Sequence, residues 1–149
     1  MCIRDRYKAG IEYLNFDEQP ATILDVEHLD IEDKQPITII ERLRTANHKP
    51  VVFCLDKIAK QYLTCSDYQQ SNGSMLEAIK KSTGHEVTHA EMDLEAISYE
   101  PHISEVLSAS PHEGLMLLKV VHYDEKNQPI LYSLNYIKSS LVKFTITKN

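Results

Sequence analysis

Residues 41–58 read ERLRTANHKPVVFCLDKI, and residues 119–137 read KVVHYDEKNQPILYSLNYI. Each stretch has an extended run rich in β-branched and apolar residues, a polar turn that closes on Pro50 or Pro129, and a second extended run. This pattern predicts two β-hairpins. If the hairpins are related copies in one sheet, they form a pseudo-twofold arrangement with a concave space between them. Two unrelated hairpins of β-rich composition would also look alike, so that alternative stays open.

The segments outside the hairpins predict further short elements. Residues 21–29, ATILDVEHL, place apolar side chains without a clean helical period and predict a short strand. From Ser74, the sequence SMLEAIKKSTG has apolar residues at helical spacing, an N-cap serine and a terminating Gly84, so it predicts a helix. Three more elements follow in order: an extended stretch over 87–97, a short helix over 101–110 and a last strand over 142–147.

Together these elements predict an α+β domain, an antiparallel β-sheet of hairpins with the helices set against one face. A chain of 149 residues is long enough for one domain with a real core, because a domain of this size buries about 70% of its unfolded surface. A second independent domain would not fit. The apolar fraction of 42% and the charged fraction of 26% are ordinary for a soluble globular protein and indicate no function.

The charge balance argues against nucleic acid as the main partner of this chain. The formal net charge is -6, from 22 acidic and 16 basic residues. No run of lysine or arginine is longer than a pair. Because nucleic-acid affinity rests largely on clustered cations, we do not expect the chain by itself to hold DNA.

The cysteines indicate the cellular compartment. Cys2, Cys54 and Cys65 form no CxxC pair and are odd in number, which argues against a disulfide framework and a zinc knuckle. A reduced, cytoplasmic setting fits this usage best. As a nucleophile Cys54 would need a nearby base, and a half-buried structural thiol is its more ordinary role. No apolar stretch approaches the roughly 20 residues that a membrane span needs.

The sequence HEVTH, residues 85–89, resembles the HExxH zinc motif, which needs a helix to place both imidazoles on one ion. Gly84 has just ended a helix, and Val87 and Thr88 favour an extended backbone. In a strand, His85 and His89 would lie about 13 Å apart at roughly 3.3 Å per residue, too far to share a metal. We therefore expect solvent-facing histidines and no metal site.

Arg42 and Arg44 are the strongest candidates for binding a ligand. A period of two in a strand sends both guanidinium groups to one face, where they could hold a carboxylate or a phosphate through bidentate hydrogen bonds. They could equally pair with carboxylates of the chain, such as Glu41 or Asp56, and the residues alone do not decide. A helix N-terminus at Ser74 adds free amides and a hydroxyl that also favour an anion.

Three motifs in this order resemble a known family: E-R-x-R before a turn and P-V, then S-[LI]-[YF]-E, then Y-D-E-x-x-x-P-[IV]-x-Y-S. The last, YDEKNQPILYS at residues 123–133, is the most specific. On these motifs, residues 20–146 resemble the UTRA domain. That domain is the C-terminal effector-binding domain of bacterial GntR-type transcription regulators of the HutC subfamily.

The resemblance implies a chorismate-lyase-like α+β fold, an antiparallel sheet flanked by helices, with neither catalysis nor a cofactor. It implies a homodimer that binds a small anionic metabolite, often a sugar phosphate, and signals to a winged helix-turn-helix domain earlier in the chain. In members that sense phosphosugars, the two arginines and the serine hold the phosphate. By resemblance these positions are Arg42, Arg44 and Ser74.

Some positions depart from the family pattern. Leu76 stands where the family has an aromatic residue, and Cys54 replaces an acidic residue, so both alter the part of the site that would contact the sugar. Tyr136 matches the family and is expected to contact the ligand. The departures in the same C-terminal motif are Leu134 in place of arginine and Ser140 in place of aspartate. The helix over 101–110 also has no counterpart between Asp30 and Pro36.

The first six residues, MCIRDR, look like a translated adapter remnant, so we expect a non-native start over 1–6 and a UTRA ligand-sensing domain over 7–149. The native protein would then carry an N-terminal DNA-binding domain of about 70 residues, the only route to DNA. Two other functions stay open: a chorismate-lyase-like enzyme, and a degenerate UTRA domain that only dimerises.

Overall fold

A six-stranded antiparallel sheet forms the centre of a computed structural model that describes residues 8–69 and 74–149. The elements are, in chain order, β1 (Ala9–Pro20), α1 (Ile23–Leu29), β2 (Pro36–Ala46), β3 (Lys49–Ala59), α2 (Cys65–Gln69), α3 (Met75–Thr83), β4 (Val87–Ile97), α4 (Pro101–Val106), β5 (Leu115–Asp124) and β6 (Pro129–Lys138). The strands lie side by side in the order β1-β2-β3-β6-β5-β4. The predicted hairpins are therefore β2–β3 and β5–β6.

The strand order confirms that the two hairpins share one sheet. They meet where β3 pairs with β6, for example at Cys54 and Asn135. Each half of the sheet has the order strand, helix, strand, strand, because α1 lies between β1 and β2 and α4 lies between β4 and β5. The sheet is therefore pseudo-twofold about the β3–β6 junction. The counterpart of α4 that we did not find between Asp30 and Pro36 is α1, just before that segment.

One face of the sheet packs against α1 and α4. Successive strand residues point to opposite faces, and the paired residues Leu43 and Phe53 both point to this one. They join Leu115 and Leu107, the C-cap of α4, in one buried cluster. A second buried cluster on this face comprises Ala21, Leu29, Ile37, Ile39 and Tyr132.

The opposite face packs against α2 and α3. Ile40 and Ile58 of the first hairpin and Leu131 of the second are buried there against Met75 and Ile79 of α3. The expectation that the helices lie against one face only is wrong. Adjacent residues in β2, such as Ile39 and Ile40, are both buried, so this strand needs cover on both sides.

The predicted strand over 21–29 is wrong, because these residues form the helix α1. The Thr22 hydroxyl accepts a hydrogen bond from the Asp25 amide at 3.4 Å, and the Asp25 carboxylate accepts one from the Thr22 amide at 2.9 Å. This reciprocal capping box starts the helix. Ile23 is 81% exposed and Leu24 is 60% exposed, so two of the apolar residues of this segment lie outside the core, whereas Leu29 is buried in it.

The other predicted helices and the strand between them are confirmed. Ser74 caps α3, and Gly84 ends it with a φ of 75°, a left-handed conformation that glycine adopts without a steric penalty. Pro101 opens α4, as its fixed φ favours. The extended stretch over 87–97 is β4. No described helix has the length and apolar character to cross a membrane.

Two elements were not predicted, and one prediction is wrong. The sequence did not indicate β1, which pairs with β2 along its length, or the one-and-a-half turns of α2. The last strand, expected over 142–147, is absent, and Phe144 and Ile146 are 48% and 91% exposed. The predicted non-native start over 1–6 lies outside the described residues.

Candidate functional site

A pocket of about 390 Å³ opens on the sheet face that carries α2 and α3. It lies between strands of both hairpins and the first turn of α3. Its walls include five of the six residues predicted to bind a ligand, namely Arg42, Arg44, Cys54, Ser74 and Leu76. The concave space expected between the two hairpins is therefore present.

Strand register explains why these side chains meet. Arg42 pairs with Cys54 across β2–β3, and Cys54 pairs with Asn135 across β3–β6. Directly paired residues point to the same face, so this row crosses the floor of the pocket. Arg44 and Val52 form a parallel row two residues away on the same face. The period of two thus places both guanidinium groups on one face, as predicted.

Arg42 is engaged by a buried carboxylate. Its Nε and Nη2 atoms each lie 2.8 Å from Oδ2 of Asp56, and Asp56 is 1% exposed. The Ser133 hydroxyl donates to the other oxygen, Oδ1, at 2.6 Å. The Nη1 atom of Arg42 lies 3.4 Å from the hydroxyl of Tyr68. Of the two alternatives for Arg42, the pairing with Asp56 is therefore present in the structure.

Arg44 differs from Arg42 because its charge has no carboxylate partner in the part of the chain that the structure describes. Among residues 8–69 and 74–149, none forms an ion pair with Arg44. The Ser74 hydroxyl oxygen accepts a hydrogen bond from the Glu77 amide at 3.3 Å, which leaves the hydroxyl proton able to donate. Arg44 and Ser74 are thus the lining groups best able to meet an anion.

Burial keeps two other lining side chains uncharged. Burial, followed by the nearby Asp56 charge, raises the pKa of the Cys54 thiol to about 11. Burial also lowers the pKa of His122, against the opposing pull of Asp56. At neutral pH the described walls therefore carry two guanidinium groups and one carboxylate, a net charge of one positive unit.

The pocket is chemically asymmetric along the sheet. Val120 and His122 occupy in the second hairpin the places that Arg42 and Arg44 occupy in the first. Around Val120 the wall is apolar, with Leu118 on β5 and Met92 on β4. The pocket therefore has a cationic end against the first hairpin and an uncharged end against the second, where apolar side chains alternate with the paired polar residues Ser133 and Asn135.

Tyr136 does not line this pocket. It pairs with Phe53 across β3–β6, on the face that packs against α4, and the two ring centroids lie 6.1 Å apart. The next residue back, Asn135, faces the pocket instead. Because adjacent strand residues alternate between faces, Tyr136 points away from this pocket, and a contact between Tyr136 and a ligand stays a prediction.

Three lining residues were absent from the predicted site: Asp56, Ser133 and Asn135. Asp56 lies two residues after Cys54 on β3, and Ser133 lies two residues before Asn135 on β6. A signal for them was available, because the same period of two that selected Arg42 and Arg44 also selects these positions once the two hairpins are placed side by side.

The histidines of HEVTH face different partners. His85 precedes β4 and its Nδ1 lies 3.1 Å from Oε1 of Glu125, whereas the His89 Nε2 lies 2.7 Å from Oδ1 of Asn127. The ligand atoms of His85, Asp124 and Glu125 all lie within 4.8 Å of one another, so this group could hold a metal ion. It lies outside the pocket, and we assign it no role.

The fold is similar to solved structures from several bacteria. The effector domain of PhnF from Mycobacterium smegmatis has a TM-score of 0.85 and 17% sequence identity, over 97% of this chain and 89% of that chain. The C-terminal domain of Yurk from Bacillus subtilis has a TM-score of 0.82 and 23% identity, over 91% and 93%. A GntR-family transcriptional regulator from Enterococcus faecalis has a TM-score of 0.81 and 19% identity, over 93% and 100%.

At these levels of identity the likeness shows the fold, and it confirms the antiparallel α+β architecture that the sequence predicts. No curated protein matches the chain at a significant level. The family model described as the UTRA domain matches residues 4–143, nearly the whole chain. The motifs quoted above, the sheet with its shared pocket and this match agree, and the chain belongs to the UTRA domain family.

Proposed function

We propose that this chain is the effector-binding domain of a GntR-type transcription regulator of the HutC subfamily. It binds a small anionic metabolite in the pocket, against Arg44, Arg42 and Ser74. The observation that carries the proposal is Arg44, a guanidinium on a pocket wall with no carboxylate partner among the described residues. A cation held at a pocket without a counter-ion favours an anionic ligand.

The proposed output is control of DNA binding by a winged helix-turn-helix domain that precedes residue 7 in the native protein. A route for the signal starts at β1, the described strand nearest the N-terminus, because Ile11 on β1 lines the pocket beside Arg44. If β1 can adopt two conformations, a ligand that binds one of them more tightly increases the population of that conformation. The active form would be a cytoplasmic homodimer.

Binding without catalysis fits the pocket better than a lyase does. General acid–base chemistry needs a group that can exchange a proton near neutral pH. Asp56 is already bonded to Arg42 and Ser133, the raised pKa of Cys54 keeps its thiol protonated, and burial lowers the pKa of His122, the remaining titratable group of the described wall besides the arginines. We therefore place the metabolite in the pocket as an effector and assign it no reaction.

A ligand screen tests the binding half of the proposal. Melting temperature would be measured with phosphosugars and small carboxylates, using the wild-type chain, Arg44→Ala, and Lys49→Ala as an exposed cation outside the pocket. We expect a stabilising ligand whose effect Arg44→Ala removes and Lys49→Ala keeps. Stabilisation that survives Arg44→Ala would overturn the site, and the absence of any ligand would favour a domain that only dimerises.

The regulatory half needs different tests. Extending the genomic sequence upstream should reveal an in-frame winged helix-turn-helix, and an in-frame stop just before residue 7 would contradict it. Light scattering on the purified chain should give the mass of a dimer. A monomer at micromolar concentration would count against signalling through paired effector domains.

A further inference from the structure

We propose that the effector is a singly charged carboxylate with an apolar body, and that the pocket discriminates against sugar phosphates. The inference rests on the proposed function, because it concerns the same pocket. It goes beyond that function by choosing between the two ligand classes that the arginines alone would accept. Three features of the pocket carry it: its net charge, the polarity of its far end and its supply of hydrogen-bond partners.

The charge of the pocket matches a single negative charge. The Asp56 carboxylate lies on the pocket wall, 2.8 Å from two nitrogen atoms of Arg42. It therefore already neutralises most of the positive charge of Arg42. Arg44 remains as the unpaired cation among the described lining residues. A phosphate monoester carries about 1.5 to 2 negative charges at neutral pH. The second negative charge of a phosphate would lie near the buried Asp56 carboxylate and would have no cation to neutralise it. A carboxylate ligand carries one negative charge, which Arg44 alone can neutralise.

The far end of the pocket is suited to an apolar group. Leu118 and Val120 are 3% and 5% exposed and line the pocket on β5, on the side away from Arg42 and Arg44. Met92, across from Val120 on the edge strand β4, extends the same surface to the mouth. Burial of apolar ligand surface against this wall contributes about 25 cal/mol per Å² to the binding free energy, so the wall favours a ligand with a hydrocarbon body.

Several of the polar groups at the same end are already engaged within the chain, which reduces the number available to sugar hydroxyls. Both oxygens of Asp56 already accept hydrogen bonds, and the Asn135 amide donates to the Leu118 carbonyl at 3.4 Å. The Cys54 thiol is a weak hydrogen-bond partner. His122 is neutral at pH 7 and offers one donor and one acceptor. Each buried hydroxyl left unpaired costs about 1–3 kcal/mol, which corresponds to roughly fivefold to a hundredfold in affinity.

Four matched ligands distinguish the effect of the ligand's charge from the effect of its apolar or polyol body. Hexanoate is singly charged with an apolar body, gluconate is singly charged with a polyol body, hexyl phosphate is doubly charged and apolar, and glucose 6-phosphate is doubly charged with a polyol body. Dissociation constants for the full chain would be measured by isothermal titration calorimetry at neutral pH. We expect hexanoate to bind about tenfold or more tightly than gluconate and glucose 6-phosphate, and more tightly than hexyl phosphate.

Two variants test the cause of the preference. Met92 is 56% exposed, so Met92→Ser should fold, and it should narrow the gap between hexanoate and gluconate. Leu94→Ser is the control, because Leu94 is a similarly exposed residue of the same strand, at 43%, outside the pocket. Asp56→Asn, if it folds, adds one net positive charge and should favour hexyl phosphate relative to hexanoate.

The outcomes separate this inference from the proposed function. Tightest binding of glucose 6-phosphate, lost in Arg44→Ala, would overturn the carboxylate inference and leave the effector-binding function intact. Equal affinities for hexanoate and gluconate would contradict the inference that the far end of the pocket favours an apolar group. If none of the four ligands bound at millimolar concentration, both the inference and the anion site beneath it would be wrong.

Discussion

Two nitrogen atoms of Arg42 lie 2.8 Å from the same carboxylate oxygen of Asp56, one strand away. Asp56 also pairs directly with Ser133 across the β3–β6 junction, and the Ser133 hydroxyl bonds to its second oxygen at 2.6 Å. The network therefore joins β2, β3 and β6 at the place where the two halves of the sheet meet. One buried carboxylate thus has two consequences: it links the halves, and it reduces the positive charge of the pocket.

Asp56→Ala should destabilise the fold strongly. It leaves the Arg42 guanidinium, whose side chain is 13% exposed, without its counter-ion, and breaking a buried pair in this way typically costs about 3–5 kcal/mol. Urea unfolding measures the free energy of unfolding. Glu18→Ala, which breaks the exposed pair of Glu18 with Lys60, is the control and should change little. Equal effects of the two variants would contradict a structural role for Asp56.

The assignment of α1 predicts opposite sensitivities at its two ends. Leu29 is 2% exposed and packs in a core cluster, so Leu29→Ala should cost about 2–5 kcal/mol of unfolding free energy. Ile23 is 81% exposed, so Ile23→Ser should be close to neutral. Thr22→Ala, which removes the capping box, should cost about 1 kcal/mol. A large loss in Ile23→Ser would favour the strand that the apolar pattern of this segment indicates.

The sequence predicted the parts of the fold whose signals are local and repeated. The repeated hairpins identified the centre of the sheet, and the N-cap and terminal glycine identified α3. The period of two placed Arg42 and Arg44 on one face, and with the family motifs it led to five residues of the pocket wall. The sequence also contains a capping-box signal at Thr22 and Asp25, which indicates the start of α1 and which the apolar pattern alone does not reveal.

Other features depend on contacts between distant segments. The strand β1 contains Asn15, Asp17 and Gly10, which disfavour strands, and its pairing with β2 is what holds it extended. The alternation over 142–147 predicted a strand, but a strand also needs a partner strand, and these residues pair with none of the six described strands. Arg42 pairs within the chain because its guanidinium group lies close to Asp56 on the neighbouring strand. That distance depends on the register of β2 and β3, which the amino-acid composition does not determine.

Asp25 should make the fold sensitive to acid. Burial of the Asp25 carboxylate would raise its pKa, but hydrogen bonds from Thr22 and from the Lys57 ammonium at 2.9 Å together outweigh burial, and the pKa is lowered. A group whose pKa is lower in the folded state stabilises the fold above its unfolded pKa of about 3.9, and the benefit is lost as pH falls through the folded value. The effect lies in the acidic range below that value.

Asp25→Asn should therefore lower the unfolding free energy at pH 7 by about 1–3 kcal/mol, with the difference from wild type shrinking as the pH falls below about 4. Urea unfolding at several pH values measures this difference. Glu27→Gln, at an exposed position of the same helix, is the matched control and should show no such convergence. A difference that stayed constant down to the acid limit would contradict the role of the charged form of Asp25.

Cys54 should react with alkylating reagents more slowly than Cys65. The thiolate is the reactive form, and burial raises the pKa of Cys54 to about 11, so little thiolate is present at pH 8. Burial also raises the pKa of Cys65, but Cys65 is only partly buried, whereas Cys54 is 1% exposed.

Iodoacetamide labelling followed by peptide mass spectrometry measures both rates in one sample. A bound effector should slow Cys54 further and leave Cys65 unchanged, because of these two described cysteines only Cys54 lines the pocket. Labelling in urea, where both thiols are exposed, should bring the two rates together. If an effector that stabilises the fold protected neither cysteine, or protected Cys65 instead, it would be bound outside this pocket.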